Sequence, residues 1–547
     1  MSEGEPPGAD AAEAAKDAII EDTTTADETT GDTATGGGTG TRSQRPTSEA
    51  FRRFVAGGWA APPTSPPDRL PAAGPAARRR AELSGRFPGD RLVVPAGTFA
   101  VRSNDTDHRF RPHTAFAYLT GLGTDREPDS VLVLEPGQDP GSGHDAVLYF
   151  RPRAPRDSEE FYADARYGEL WVGARPSLAE VTAETGITAV HLDRLAEDLA
   201  KGIGHLTVRV VRDADAAVTG VVDAARRDAG VVIDPPPAPE GEEEDEARHA
   251  REALGAATGD HGLAAAVSTM RLVKDDWEIA QMRLAVAATA VGFDDVVTAL
   301  ERAVGRDRGE RVVESAFAAR SRELGNGLGY DVIAASGAHA CTLHWIRNDG
   351  RVEPGDLVLV DAGVEVDTLY TGDVTRTLPV SGRFSPEQRR VYQAVLDAAD
   401  AAFAVVRPGA SLADVHAAAM RVLAERLAAW GLLPVDVETS LDREQGGHHR
   451  RWCVHGTSHH LGMDVHDCAL ARREEYVEGE LAPGMVFTIE PGLYFRADDE
   501  LVPVELRGIG VRIEDDVLVT ADGCENLSAM LPREPDAVEE WVRTHRR

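Results

Sequence analysis

A chain of 547 residues exceeds the usual size of a single hydrophobic core, so two or more domains are expected. Its 92 Asp and Glu against 58 Lys and Arg give a formal net charge of -34, which argues against a nucleic-acid partner, since phosphate recognition needs a basic surface. No stretch approaches the roughly 18 apolar residues of a membrane span, and four cysteines without a CxxC pair are too few for a disulfide scaffold, so a reduced, cytoplasmic protein is expected.

In chain order, residues 1–45 are acidic, carry a Thr/Gly run from Thr33 to Thr41, and are expected to be a disordered tail; the first residues lack the basic then apolar pattern of a signal peptide. Residues 46–76 read as an arm bearing Phe51, Phe54 and Trp59 followed by a proline-rich spacer. Over 77–233 an Arg-rich helical segment leads into the strand Arg91-Leu92-Val93-Val94-Pro95. Further strands are predicted at 130–134, 146–150, 189–192 and 206–211, with helices at 195–200 and 213–227. Strands interleaved with helices predict a small α/β domain, and no Gly-rich phosphate loop occurs in it. Residues 234–270 hold Pro235-Pro236-Pro237 and the run 240–246, acidic at every position but Gly241; this reads as a linker or insertion.

A second domain is predicted over 271–530, leaving 531–547 as a tail. From Asp276 to about Arg302 apolar residues recur at helical spacing (Ile279, Met282, Val286, Ala290, Phe293), and further helices are predicted at 308–324, 386–406 and 412–430. Among them lies Asp356-Leu357-Val358-Leu359-Val360, a short buried strand running into Asp361-Ala362-Gly363, and Gly372-Asp373 opens a second strand ending at Pro379-Val380. Two carboxylates at the ends of neighbouring strands cannot both ionise cheaply in a low dielectric, and a divalent cation removes that conflict.

Three more candidate ligands follow. His459 lies in His455-Gly456-Thr457-Ser458-His459-His460, Glu490 ends an apolar strand before Pro491-Gly492, and Glu514 ends the alternating run Ile509, Val511, Ile513. Singly, each has an ordinary structural reading, as a core histidine, a turn residue and part of an acidic surface cluster. As a set, four carboxylates and one imidazole are hard and oxygen-rich, and they suit two divalent ions sharing carboxylates, manganese more than thiolate-type zinc. His455 to His459 is not the helical HExxH of zinc proteases, because its glycine and β-branched context disfavours a helix and no Glu follows the first His.

The motifs at 361–363 (DAG), 372–377 (GDVTRT), 455–462 (HGTSHHLG), 490–494 (EPGLY) and 510–516 (GVRIEDD) together resemble the Xaa-Pro aminopeptidase (aminopeptidase P) branch of the pita-bread metallopeptidases. The resemblance extends through the N-terminal half, by Arg102-Ser103-Asn104-Asp105, Phe110-Arg111, Phe116 to Gly121 and Trp171 to Arg175. It implies an α/β (α+β) protein: a small N-terminal α/β domain followed by a catalytic pita-bread domain. It also implies Asp361 as terminal ligand of one metal, Asp373 and Glu514 as bridges, and His459 and Glu490 completing the other. The cofactors are two divalent ions, manganese first, with cobalt or zinc as alternatives. The implied substrates are peptides with proline second, cleaved before it by a hydroxide bridging the ions. His344 and His466 are then placed against substrate, His455 in the proline pocket, and Arg512 and Tyr494 beside the site, with Glu490 relaying a proton. A homo-oligomer, dimer or tetramer, is implied as well.

His448, His449 and His460 fit no motif position and read as solvent-facing or structural. The spacing from Asp361 to Asp373 is one residue longer than in common members, and 438–452 reads as a polar insertion. The runner-up activity is prolidase, which shares the ligands but takes dipeptides. A non-catalytic peptide-binding module is the rival of another class, and the completeness of the ligand set disfavours it.

Overall fold

The computed structural model describes residues 46, 48–61, 65–124, 126–137, 139, 142–231 and 259–545; the tail at 1–45 and the acidic run at 240–246 lie outside them. The chain divides into two compact units, Met1–Gly58 and Trp59–Arg547. In the first, Ser48 caps the helix Glu49–Ala56 by accepting from the Phe51 N–H.

The second unit begins with a five-stranded sheet, ordered Thr188–His191, His144–Phe150, Val131–Pro136, Arg91–Pro95, Val208–Val210. Of the inner three strands the central one runs antiparallel to both neighbours, and the two outer strands pair parallel. Alternation decides what each face meets. Leu92, Val94, Leu132 and Leu134 enter a core shared with Met282, Val286 and Tyr370 of the following half. Val93, Val131 and Val133 point the other way, onto Leu195, Leu199 and Val222. The strand Arg91–Pro95 and the helix Leu195–Ala200 have the bounds the sequence predicts.

The long helix Asp276–Ala303 starts at a capping box: the Asp275 carboxylate accepts from the Trp277 and Glu278 N–H groups while Glu278 reaches back. Its buried face holds Met282, Val286, Ala290 and Phe293, each of the larger ones contributing about 1.5–3 kcal/mol by burial. The helices Gly309–Leu324, Pro386–Val405 and Leu412–Ala429 join it around the largest core. Pro386 at the first turn and the Ser385/Gln388 capping box fix where the third begins.

Two stretches differ from expectation. Asp260–Met270, within the expected linker, is a helix, because the buried Asp260 carboxylate accepts from the Val210 N–H and pairs with Arg212 and Arg226. Pro535–His545, expected as a tail, is a helix whose Val538, Trp541 and Val542 are buried in the large core; their i, i+3, i+4 spacing makes one apolar stripe. His449 and His460 are both buried, so of the two readings left open for them the structural one holds. All four cysteines are unpaired thiols, and among the described residues no helix is long and apolar enough to cross a membrane.

The two halves meet beside the loop at 462–466. Arg111 donates to Glu365 and to the Met463 carbonyl, and Thr114 Oγ1 donates to Asp464. This fixes the 108–114 segment of the N-terminal half at the edge of the candidate site.

Candidate metal centre

The strand Leu357–Ala362 runs between Ile333–Ser336 and Val374–Pro379, antiparallel to both. Asp361 is paired with Thr375 and with Ile333, which puts its side chain at the sheet end where Asp373 enters the next strand. The turn between them demands glycine. A Cβ on Gly363 would stand 1.6 Å from the Gly372 carbonyl oxygen, and one on Gly372 would stand 2.7 Å from Thr289 Oγ1. The Asp-Ala-Gly and Gly-Asp pairs are therefore one steric unit that carries two carboxylates.

Glu514 reaches the same point from the other sheet. Its N–H donates to the Thr375 carbonyl, and its Oε2 accepts from Thr375 Oγ1 at 2.6 Å. The fully buried Arg376 locks this junction, donating to the carbonyls of Thr375 and Glu514 and pairing with Asp515 at 2.7 Å. Glu490 follows the strand Val486–Ile489, and its N–H donates to the Thr457 carbonyl; Thr488 N–H donates to the His459 carbonyl. The 457–459 loop so runs along that strand and delivers His459. The imidazole Nδ1 faces the His460 carbonyl at 3.2 Å, which turns Nε2 toward Asp373 Oδ2 at 3.3 Å and Glu490 Oε1 at 3.6 Å.

The five candidate ligands thus converge. Asp373, His459 and Glu514 each offer an atom within 4.8 Å of the others, Glu490 adjoins His459, and Asp361 is linked to Asp373 through Tyr330, whose hydroxyl contacts Oδ1 of both. Burial, with Asp373 beside them, pushes the carboxyls of Asp361 and Glu514 above the usual range, and Arg512 pulls against it. Burial carries Glu490 up to about 7 against the pull of His459 and Arg512. At His459 burial opposes the charge, but the Asp373 hydrogen bond and Glu490 outweigh it and raise the imidazole to about 9. Four crowded carboxyls, held without a metal by raised protonation, one guanidinium and one imidazole, present a cluster of oxygen donors with one imidazole nitrogen. That donor set fits divalent cations with hard-ligand preference.

The other predicted residues surround this cluster. Arg512 donates to Thr375 Oγ1, Tyr494 OH and Asp361 Oδ2. His455 Nε2 lies 2.9 Å from Tyr494 OH and its Nδ1 3.6 Å from Glu490 Oε2; burial, with Arg512 nearby, lowers it to about 3 and keeps it neutral. The His466 ring packs edge-on against His459, 4.5 Å between centroids. His344 is exposed on the loop after Gly337–Cys341, and among the described residues no hydrogen bond or ion pair ties its ring to the cluster.

Tyr330 and Thr375 are the residues the sequence reading missed as site residues. Thr375 stood inside the 372–377 motif, but no local pattern marks Tyr330, which lies 31 positions before Asp361 and arrives only through the pairing of Ile333 with Asp361. One hydroxyl proton cannot serve two carboxylates at once, so Tyr330 holds them apart by alternation or by a shared proton. Tyr330→Phe is expected to keep the fold and raise the metal concentration needed for half-maximal activity by roughly 10–100-fold, the usual cost of losing a partner of metal ligands. Activity titrated against free metal checks this, and an unchanged requirement would make the hydroxyl a bystander.

The comparisons agree in one direction. The model of metallopeptidase family M24 matches residues 280–521, and that of the aminopeptidase P N-terminal domain matches residues 76–210. Xaa-Pro aminopeptidase 1 of Streptomyces coelicolor is 50% identical over 495 residues, covering 90% of this chain and 92% of that protein. The Xaa-Pro aminopeptidase of Escherichia coli is 31% identical over 468 residues, covering 84% and 96%. The solved structure of zinc-substituted E. coli aminopeptidase P in complex with product aligns with a TM-score of 0.71 at 30% identity, over 87% of this chain and all of that one.

Proposed function

Because the chain belongs to metallopeptidase family M24 and carries the aminopeptidase P N-terminal domain, we propose that the converged cluster holds the divalent ions with which it removes an N-terminal residue preceding proline. The chain is a metal-dependent Xaa-Pro aminopeptidase with the pita-bread fold in its C-terminal half. The observation that carries the site assignment is the meeting of Asp361, Asp373, His459, Glu490 and Glu514 from separate strands and loops around one guanidinium. In this reading Asp361 would serve one ion alone, Asp373 and Glu514 would be shared between the two, and His459 and Glu490 would complete the other. When bound, the ions, manganese in the first instance given the hard donor set, would supply a water-derived nucleophile at neutral pH and polarise the scissile carbonyl.

The protein's own groups do the rest. The proline nitrogen of the scissile bond bears no hydrogen, so it must gain a proton to leave. Glu490 is the proton carrier, its Oε2 set 3.6 Å from His455 Nδ1 on the proline side of the cluster. Neutral His455, held by Tyr494, walls the proline side, while Arg512 fixes Asp361 and Tyr494 together. His466, edge-on to His459, and the exposed His344 are the substrate contacts at the mouth.

A cytoplasmic setting and a homo-oligomer complete the proposal, with an N-terminal domain over 77–233 and a catalytic domain that begins near 271 and runs past 530 through the helix Pro535–His545. The unpaired thiols support the setting, and the run Leu170, Trp171, Val172, more than half exposed, supports an interface on the N-terminal domain.

The direct test is hydrolysis of an Xaa-Pro-Xaa tripeptide against an Xaa-Pro dipeptide, after chelation and after manganese is restored. Faster tripeptide cleavage that returns with the metal is expected. Cleavage of the dipeptide alone would convert the assignment to prolidase, and no metal-restored cleavage of either would leave a binding module.

A further inference from the structure

The loop between the strands Ile333–Ser336 and Leu357–Ala362 carries His344, and most of it is tied to one side chain. Glu310 stands in the first turn of the helix Gly309–Leu324, fully buried. Its Oε1 accepts from the Ser336 N–H at 2.8 Å and lies 2.7 Å from His339 Nδ1; its Oε2 accepts from Trp345 Nε1 at 2.8 Å and from the Gly350 N–H at 2.6 Å. A carboxylate has about four lone-pair positions, and here one loop fills them all. The backbone closes the tie, since the Glu310 N–H donates to the Gly350 carbonyl at 3.1 Å.

A buried charge is costly unless it is fully hydrogen-bonded, so the burial of Glu310 and the arrangement of the loop depend on each other. The neighbours allow no second arrangement nearby. A Cβ on Gly350 would stand 2.6 Å from the His339 ring and 2.8 Å from the Glu310 carboxyl carbon. Asn348, buried and left-handed at φ 46, accepts from the Ala334 N–H and donates to the Val332 carbonyl. Trp345 stacks on the His339 ring, 3.9 Å between centroids, and is buried in a small cluster with Ala340, Leu359 and Tyr494.

Tyr494 holds His455 and accepts from Arg512, so the loop rests on one flank of the metal cluster. The strand that carries Arg512 runs close against it: a Cβ on Gly510 would stand 2.4 Å from the Ala340 carbonyl oxygen. His344 is exposed between the anchored His339 and Trp345. Among the described residues no hydrogen bond or ion pair joins Glu310 to a candidate ligand, so whatever it does for the site passes through this loop. We propose that Glu310 is a positioning residue for peptide cleavage, holding the loop so that His344 meets the substrate, a role that rests on reading His344 as a substrate contact.

Glu310→Gln tests it at constant volume. Each carboxylate oxygen faces a backbone N–H, so whichever way the amide turns, its NH2 group meets a donor. With metal-loaded full chain and an Xaa-Pro-Xaa tripeptide, kcat is expected to fall on the order of 10–100-fold while KM and bound metal change little. In a His344→Ala background the same substitution should cost less than about twofold, because the two residues act as one unit. Backbone hydrogen exchange of Glu310→Gln should speed up over 336–350 and stay as in wild type over 455–462. Losses that multiply in the double variant, or exchange unchanged over 336–350, would overturn the inference alone. Should Glu310→Gln fail to fold, Trp345→Phe deletes one of the four bonds and keeps the ring; its expected fall in kcat, about fivefold, should vanish in His344→Ala. A wild type that does not cleave, or His344→Ala at full rate, would overturn the substrate contact and the inference with it, and each of these shows before any Glu310 variant is made.

Discussion

Asp373→Ala is expected to leave a folded protein whose Xaa-Pro hydrolysis falls by on the order of 10³-fold or more, because it removes the central group of the cluster. Asp373 touches every side of the site: its Oδ1 meets the Tyr330 hydroxyl, its Oδ2 lies 3.3 Å from His459, and it shares the close triad with Glu514. No other side chain can take its place, since the steric lock between Gly363 and Gly372 leaves the backbone no room to swing a substitute in. The fold should survive because the backbone of Asp373 is held independently, its N–H donating to Asp516 at 3.0 Å, and because removing one of several crowded carboxylates relieves repulsion. Bound metal per chain should fall with activity, and thermal unfolding of the chelated variant should match or exceed that of chelated wild type. Near-normal turnover with two ions still bound would remove Asp373 from the bridging role.

The second large effect is on stability. Chelated protein should become steadily less stable as pH rises from about 4.5 towards 9, and added manganese should abolish most of that slope. Glu490 has an ordinary value of 4.5 and is raised to about 7 in the fold, with Asp361 and Glu514 raised as well. Between the two values the folded state binds more protons than the unfolded chain, so stability falls with rising pH. His459, raised from 6.5 to about 9 by Asp373 and Glu490, acts in the same direction: its contribution is complete below 6.5 and is lost as pH passes 9. A cation that binds only the folded state takes over the neutralisation and adds stability that grows with its concentration. Thermal unfolding at several pH values, with and without metal, reads this directly. A chelated protein with stability flat over that range would mean that the carboxylates are not crowded as the geometry requires.

The local elements and the proposed ligands were both legible in the sequence. Apolar spacing alone located the helix beginning at Asp276 and the face it buries, and the short β-branched run before Asp361 marked a buried strand, because both signals are written within a few residues of each other. The ligands were legible for a related reason: each stands at a strand end or in a glycine-bounded turn, where a carboxylate or imidazole has no packing role to play. The stripe of Val538, Trp541 and Val542 was equally local, and the helix it forms was missed by treating the chain end as a tail.

Tertiary structure alone decided which of these groups meet. Tyr330 reaches Asp361 across 31 positions and Arg512 reaches it across 151, through strand register and through Arg376 clamping two sheets together. It also decided that Asp260 anchors a helix to the N-terminal sheet, through the Val210 N–H and Arg226. Periodicity and turn chemistry act over a few bonds and can be read from neighbours. Convergence depends on which faces bury against which, and that free energy belongs to the packed chain as a whole.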